Sequence, residues 1–229
     1  NSTSFVKLRN GTKLLVKDLK KKLYSRVIEL NCSYQKLQSL EGIHIFNKLE
    51  VINFRNNNIM EIPLSLQKIK TLRELYGSYN KISNCNSLNS MNNLEIIDLS
   101  YNNIKSVNLQ CPLIKYLYLS KNKINLINVP LSIIELDISN NYLKNIKSLQ
   151  SCNKLKGLYV NNNLLESIEG ISKCENIIEL HIDSNRLKSI DECSTLKNLK
   201  ILNCSKNEIN DIKCLKNLTN LKYLQMFKN

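Results

Sequence analysis

The stretch "LEIIDLSYNNI", Leu94 to Ile104, decides the fold. It has the form L-x-x-L-x-L-x-x-N-x-L, with apolar residues at positions 1, 4, 6 and 11 and an asparagine at position 9. Nine other segments share this form or a close variant; they begin at Val27, Leu49, Leu72, Ile114, Ile133, Leu155, Ile177, Leu199 and Leu221. Successive copies start 19 to 23 residues apart, most often 22. Such a period is typical of a chain whose units stack into a solenoid.

The pattern within each copy predicts which side chains form the core. One copy cannot bury its own apolar face, so positions 1, 4, 6 and 11 should point inward against the neighbouring copies. The asparagine at position 9 should hydrogen-bond the backbone of adjacent turns and satisfy buried peptide groups. These asparagines are Asn57, Asn80, Asn102, Asn122, Asn141, Asn163, Asn185, Asn207 and Asn229. The first copy has Gln35 at this position.

From Val27 to Asn229 the repeat resembles the leucine-rich-repeat family. Apolar residues three apart after the asparagine, as in "LLESIEGI" (Leu164 to Ile171), together with the period of 22, resemble the subclass that contains the regulatory subunit of protein phosphatase 1. The resemblance implies an α/β repeat solenoid, a horseshoe with a concave parallel β-sheet and 3₁₀ or short helical segments on the convex side. Prolines predict extended convex segments at Pro63 and between Cys111 and Pro130.

Residues 1–26 lack the repeat, so we divide the chain into an N-terminal cap segment (1–26) and a solenoid of about ten repeats (27–229). Within the cap, Leu15, Leu19 and Leu23 are spaced by four residues, which predicts an amphipathic helix over the first copy. A basic helix at a membrane surface is the alternative. At the other end the last copy stops at its asparagine, and we expect the polypeptide to be a fragment of something longer.

The charge balance is basic, with 33 Lys and Arg against 19 Asp and Glu and a formal net charge of +14. The lysines are spread along the chain, which favours a solvated surface over a single nucleic-acid site. No run approaches the roughly 18 apolar residues of a membrane helix, so membrane insertion is not expected.

The eight cysteines fall in apolar columns of the repeat and contain no C-x-x-C motif. We therefore expect core thiols, with Cys214 partly exposed, no metal and no cofactor. Unpaired core thiols favour a reducing compartment, cytoplasmic or nuclear. Five N-x-S/T sequons count against this compartment, at Asn1, Asn10, Asn31, Asn203 and Asn217.

Nine of the ten tyrosines occupy positions expected on the concave face, where they either form an interface or brace one another. The middle of this face is acidic, which disfavours a nucleic-acid cradle. His181, near Glu179 and Asp183, raises acid–base chemistry, but no nucleophile or phosphate loop accompanies it, so no enzyme is expected. The predicted partner-binding residues are Tyr76, Tyr79, Asp98, Tyr101, Tyr116, Tyr118, Glu135, Asp137, Tyr142, Tyr159, His181 and Asp183.

These observations predict a non-catalytic scaffold for protein–protein interaction. The subclass resemblance implies a regulator that binds a phosphatase catalytic subunit. Other members of the class imply a ciliary or cytoskeletal assembly factor, or a protein associated with ribonucleoproteins. Nucleic-acid binding is the alternative that rests on net charge, and a receptor ectodomain is the alternative that requires oxidised cysteines.

Overall fold

The computed structural model describes residues 4–229. Each of the ten copies contributes one short strand, and these strands form a continuous parallel sheet. The strands are β1 (Phe5–Leu8), β2 (Lys13–Leu15), β3 (Val27–Asn31), β4 (Val51–Asn53), β5 (Glu74–Tyr76), β6 (Ile96–Asp98), β7 (Ser106–Asn108), β8 (Tyr116–Tyr118), β9 (Leu126–Asn128), β10 (Glu135–Asp137), β11 (Gly157–Tyr159), β12 (Glu179–His181), β13 (Ile201–Asn203) and β14 (Tyr223–Gln225). The sheet order is β14-β13-β12-β11-β10-β8-β6-β5-β4-β3-β1-β2. The predicted leucine-rich-repeat solenoid is confirmed.

One core runs the length of the solenoid. In the copy that starts at Ile114, the inward side chains Ile114, Leu117, Leu119 and Ile124 are all fully buried. Side chains alternate across a strand, so the residues on either side of Leu117 face away from this core. The predicted inward positions are buried in every copy from Leu49 to Leu199, whereas Leu224 of the last copy is 39% exposed.

The asparagine ladder is built as predicted. The Asn122 Nδ2 group donates to the Leu119 carbonyl of its own copy (3.1 Å) and to the Leu99 carbonyl of the preceding copy (2.9 Å). Its Oδ1 atom accepts from the backbone N–H of Ile104 at 2.9 Å. The same bonds recur at Asn80, Asn102, Asn141, Asn163, Asn185 and Asn207. One side chain thus satisfies backbone groups of two copies.

The convex side is made of 3₁₀ turns in the longer copies and of strands in the two shortest. Two 3₁₀ segments, η1 (Val16–Asp18) and η2 (Lys21–Arg26), lie in the N-terminal segment. Those of the copies are η3 (Ile43–Ile45), η4 (Leu64–Lys68), η5 (Asn86–Leu88), η6 (Lys147–Ser151), η7 (Ile171–Lys173), η8 (Asp191–Thr195) and η9 (Lys213–Asn217). Strands β7 and β9 pair in parallel on this side. They lie in the copies of 20 and 19 residues, where an extended chain spans the convex side with fewer residues than a 3₁₀ turn needs.

Of the two extended convex segments predicted from prolines, one is present and the other is not. The extended segment predicted between Cys111 and Pro130 is confirmed by β9. The one predicted at Pro63 is wrong beyond the proline itself, because η4 begins at the next residue. Pro63 has the extended backbone angles φ −71° and ψ 146° and occupies the N-cap, where its missing N–H costs no hydrogen bond.

The N-terminal segment is not the single amphipathic helix that was predicted: it begins with two strands, and the 3₁₀ turns η1 and η2 follow them, with Leu19 and Leu23 packed against the core. Strands β1 and β2 form an antiparallel hairpin, and β1 also pairs antiparallel with β3. The hairpin turns at Asn10 and Gly11, where Gly11 has a φ of +87°. Pairing with β1 satisfies the otherwise open edge of β3, which a helix in this place would leave without partners. Residues 1–3, which include the sequon at Asn1, lie outside the described residues.

Gly77 occupies inward position 6, where other copies have a larger apolar residue. A Cβ atom at Gly77 would lie 2.3 Å from Cζ of Phe54, the position-6 residue of the preceding copy. The fully buried Phe54 ring fills the space that a side chain at position 77 would otherwise use. The large Phe54 side chain of one copy therefore occupies the volume left by the missing side chain at Gly77 in the next copy.

We predict that Gly77→Ala destabilises the protein by about 1–3 kcal/mol, because the new methyl overpacks the core against Phe54. The double variant with Phe54→Leu should lose less than the sum of the two single losses, since each change makes room for the other. Urea unfolding measures both. Gly157→Ala is the matched control: its nearest neighbour would be the flexible Glu135 side chain at 3.3 Å, so the loss should be smaller. Equal losses at the two glycines would contradict the account.

Candidate protein-binding face

The solvent side of the parallel sheet has two rows of side chains. In each copy, repeat position 3 contributes one residue to the first row and repeat position 5 contributes one to the second. We name them the position-3 row and the position-5 row. The position-3 row is Glu29, Val51, Glu74, Ile96, Tyr116, Glu135, Gly157, Glu179, Ile201 and Tyr223. The position-5 row is Asn31, Asn53, Tyr76, Asp98, Tyr118, Asp137, Tyr159, His181, Asn203 and Gln225.

Neither row contains a lysine or an arginine, although the chain has 33 of them. The rows contain carboxylates instead, at Glu29, Glu74, Asp98, Glu135, Asp137 and Glu179. The face is therefore acidic on a molecule whose formal net charge is +14. Composition alone conceals this difference.

Tyrosine hydroxyls of the position-5 row donate to carboxylates of the position-3 row. The Tyr118 Oη–H donates to Glu135 Oε1 on the neighbouring strand at 3.0 Å. The Tyr76 Oη–H donates to Glu74 Oε2 on its own strand at 2.8 Å. Each bond fixes a half-buried ring and orients the carboxylate.

A third arrangement of the same kind involves a histidine. His181 Nε2 lies 2.8 Å from Glu179 Oε1, and the Tyr159 ring stacks on the imidazole with centroids 4.9 Å apart. The histidine that raised acid–base chemistry is thus held by a glutamate and a ring in the row. Gly157 lies against the same ring: a Cβ atom there would be 3.4 Å from the Tyr159 ring, an ordinary contact distance.

The environment holds these phenols neutral. Burial, and then the bonded Glu74 carboxylate, raise the pKa of Tyr76 to about 12. The pKa of Tyr118 is raised well above its usual range by burial first and then by Glu135. Burial and then the charge of Glu179 raise the pKa of Tyr159 in the same direction. The tyrosines therefore serve as hydrogen-bond donors throughout the neutral pH range.

Beyond the strands, Tyr79 and Tyr101 stack in parallel, with centroids 4.0 Å apart and planes 12° from parallel. The Arg55 guanidinium lies over the outer face of Tyr79 at 5.2 Å. Both tyrosines have a positive φ, as does the position-8 residue of every copy. The three residues form a partly exposed stack beside the position-5 row.

Two basic residues that precede strands of the sheet, Arg73 and Lys115, are neutralised by the same carboxylate, Glu95. Glu95 accepts from Arg73 on one side and from Lys115 Nζ on the other, the latter at 2.7 Å. The two cations lower the pKa of Glu95, Lys115 having the larger effect. This chain of ion pairs removes two cations from the charge balance next to the acidic rows.

The structure brings most of the predicted residues together. Eight lie in the two rows, Tyr79 and Tyr101 stack beside them, and Asp183 follows β12. Tyr142 is separate, because it comes after the ladder residue Asn141 at the side of the solenoid. Glu74 and Glu179 also lie in the position-3 row, at the same repeat position as Glu135. The sequence places them among the acidic residues of this face, but they were not included in the predicted partner-binding set.

The remaining chemistry is sparse. All eight cysteines are free and buried, including Cys214, which is only 4% exposed and so contradicts its predicted partial exposure: its side chain turns inward from η9. Among residues 4–229 no group of three or more His, Cys, Asp or Glu is arranged to hold a metal ion. Across the same residues no helix has both the length and the apolar character needed to cross a bilayer.

No family model and no curated protein sequence matches the chain. Solved structures do. A leucine-rich-repeat protein of Leptospira interrogans has 23% identity and a TM-score of 0.66, over 85% of this chain and 59% of that one. Internalin C2 of Listeria monocytogenes has 20% identity and a TM-score of 0.68, over 91% and 84%. The plant peptide hormone receptor RGFR1, in complex with RGF2, has 20% identity and a TM-score of 0.70, over 91% and 41%. These similarities show the fold.

We predict that Glu135→Gln lowers the pKa of Tyr118 toward its ordinary value. The glutamine keeps an acceptor for the hydroxyl but removes the negative charge that opposes the phenolate, while burial persists. The pKa of Tyr159 should fall less, because Glu135 is a smaller cause there. NMR of ¹³Cζ-labelled tyrosine measures both. Glu166→Gln, at an exposed residue outside the two rows, is the control, and an unchanged Tyr118 pKa in Glu135→Gln would contradict the assignment.

We also predict that the native protein reacts slowly with a thiol reagent. All eight cysteines are buried, and burial raises the thiol pKa, to about 12 for Cys32 and about 11 for Cys204, so little thiolate forms at pH 8. After denaturation without reductant, eight thiols per chain should titrate. Fewer than eight would mean that disulfides exist.

Proposed function

We propose that the chain is a non-catalytic binding module that holds a protein partner on the two rows of its concave sheet. The observation that carries this proposal is the composition of those rows. Tyrosines and carboxylates collect at positions that the core does not require, while lysine and arginine are absent there. Tyrosine is enriched at interfaces because one end packs in apolar surroundings and the other end hydrogen-bonds.

The tyrosines are held before any partner arrives. Tyr118 is bonded to Glu135, and Tyr159 is stacked on His181. Bracing and binding, which the sequence offered as alternatives, are therefore compatible: a ring fixed in advance loses less conformational entropy on association.

The similar solved structures support the proposal that the partner is a protein or peptide. One neighbour is a plant peptide hormone receptor in complex with RGF2. This chain spans 59% of the Leptospira protein's length and 41% of the receptor's. What a protein of that full length does and binds is therefore only a proposal for this chain.

More specific functions and a cellular location are supported by fewer observations. Regulation of protein phosphatase 1 depends on the repeat length and the convex turns alone. A cytoplasmic or nuclear location depends on the free, buried thiols. Nucleic-acid binding is disfavoured by the acidic rows, since phosphate contacts need lysine or arginine at the centre of the surface.

The proposal predicts that Tyr118→Ala combined with Tyr159→Ala weakens partner binding about tenfold or more, because buried interface tyrosines are frequent hot spots. Affinity purification with mass spectrometry identifies the partner, and calorimetry with the purified partner measures the change. Circular dichroism and thermal unfolding establish that the variant is folded.

Leu64→Ala on the convex side is the matched control, since Leu64 is 70% exposed in η4. Its affinity should equal that of the unmodified protein. Full binding by the folded double tyrosine variant, with loss in the convex variant, would place the interface on the opposite side and overturn the proposal.

A further inference from the structure

The position-5 row alternates between rings and carboxylates over five neighbouring strands. Register places Asp98 between Tyr76 and Tyr118, and it places Asp137 between Tyr118 and Tyr159. Adjacent parallel strands are about 4.8 Å apart, so side chains on neighbouring strands are within contact distance. The row therefore repeats one unit twice: a carboxylate with a tyrosine on each side.

We propose that each unit is a subsite for a cationic side chain, and that together they take an extended basic peptide of the partner. The first subsite is at Asp98 and the second at Asp137. The proposal rests on the proposed function and deepens it, because it gives the chemistry of the partner.

Both carboxylates are held in place and have an oxygen to spare. Asp98 Oδ1 accepts from the backbone N–H of Ser100 at 3.0 Å, and Asp137 Oδ1 accepts from that of Ser139 at 2.9 Å. Within the part of the chain that the structure describes, neither aspartate forms an ion pair. Glu95, by contrast, is already occupied by two cations.

The rings supply the second attraction. A cation over a tyrosine face is stabilised by the ring quadrupole, and arginine adopts this arrangement most often. The chain already shows it on the same face, where the Arg55 guanidinium lies 5.2 Å from the Tyr79 ring centre. Tyr118 borders both subsites, and its bond to Glu135 keeps its ring in place between them.

The two subsites differ in one wall. Two residues before Asp98 on the same face lies Ile96, and two residues before Asp137 lies Glu135. Ile96 offers an apolar surface to the methylene stem of a long side chain, whereas Glu135 adds negative charge. On the other side Ser100 and Ser139 are small and buried, which leaves room for the incoming group.

The spacing of the subsites selects a peptide. Asp98 and Asp137 are two strands apart, roughly 10 Å. A peptide in the extended polyproline II conformation has three residues per turn and advances about 3.1 Å per residue, so side chains at i and i+3 lie on the same side about 9 Å apart and match this distance. A partner segment in this conformation, with basic residues at i and i+3 and running across the sheet strands, fits both subsites.

Fluorescence anisotropy with synthetic peptides at physiological salt tests the inference. The probes are labelled glycine–serine peptides with arginines at i and i+3, with arginines at i and i+1, or with glutamates at i and i+3. We expect the first to bind most tightly and the third not to bind. Asp98→Asn and Asp137→Asn should each weaken the first about fivefold to thirtyfold, and the double variant more.

Asp191→Asn, an exposed carboxylate in the convex turn η8, is the matched control and should change affinity less than twofold. Equal binding of the two arginine peptides, or full binding by the folded Asp98→Asn, Asp137→Asn variant, would reduce the effect to general charge attraction and overturn the subsites. Tighter binding of a single-stranded RNA of similar length would overturn them as well.

The native partner separates the two proposals. If the tyrosine double variant loses the partner while the aspartate double variant keeps full affinity for it, the binding face stands and the cation subsites are wrong. If both double variants keep full affinity, both proposals are wrong. Loss in both variants, with the control unchanged, supports both.

Discussion

The asparagine ladder is the interaction on which the rest of the structure depends. Each ladder side chain bonds carbonyls of two copies and accepts an N–H of the preceding copy, as Asn122 does with Leu119, Leu99 and Ile104. A shift of one copy by a single residue would break these buried bonds and turn the inward leucines outward. Register is therefore strongly determined. Only because register is determined do positions 3 and 5 align into rows, so that ten separate strands present one continuous surface.

Backbone hydrogen bonds between neighbouring copies explain the shape of the border beside the rows. The position-8 residue of each copy has a φ near +55°, although none of these residues is glycine. Left-handed backbone costs an L-residue roughly 1–2 kcal/mol, and it persists here because the N–H of Tyr101 bonds to the Ser120 carbonyl of the next copy at 2.8 Å. The turn directs Tyr79 and Tyr101 toward each other, and the stack with Arg55 follows from this backbone.

Most of the fold could be predicted because its information is periodic. Inward positions, ladder and parallel strands follow from spacing alone. The N-terminal hairpin was missed because the leucines at 15, 19 and 23 also fit a helix, while the Asn10–Gly11 turn signal between two alternating stretches went unused. The hydrogen bonds between side chains on the concave face could not be predicted from the repeat pattern. Tyr76 bonds a glutamate on its own strand whereas Tyr118 bonds one on the next strand, and that choice depends on rotamers that equal repeat positions do not distinguish.

The acidic face lies on a molecule whose formal net charge is +14, so a group bound there interacts with nearby carboxylates and with more distant lysines. At physiological ionic strength the Debye length is about 8 Å, so the spread-out lysines are largely screened from a group that lies on the sheet. A cationic side chain between Tyr118 and Asp137 is far closer than that to the carboxylate, and half-buried rings reduce the water around it. Local charge therefore decides what the face accepts, and the net charge contributes only a weak, screened field. For a basic partner the long-range field is repulsive and the contact attractive, which makes affinity depend on the fit at contact rather than on electrostatic steering.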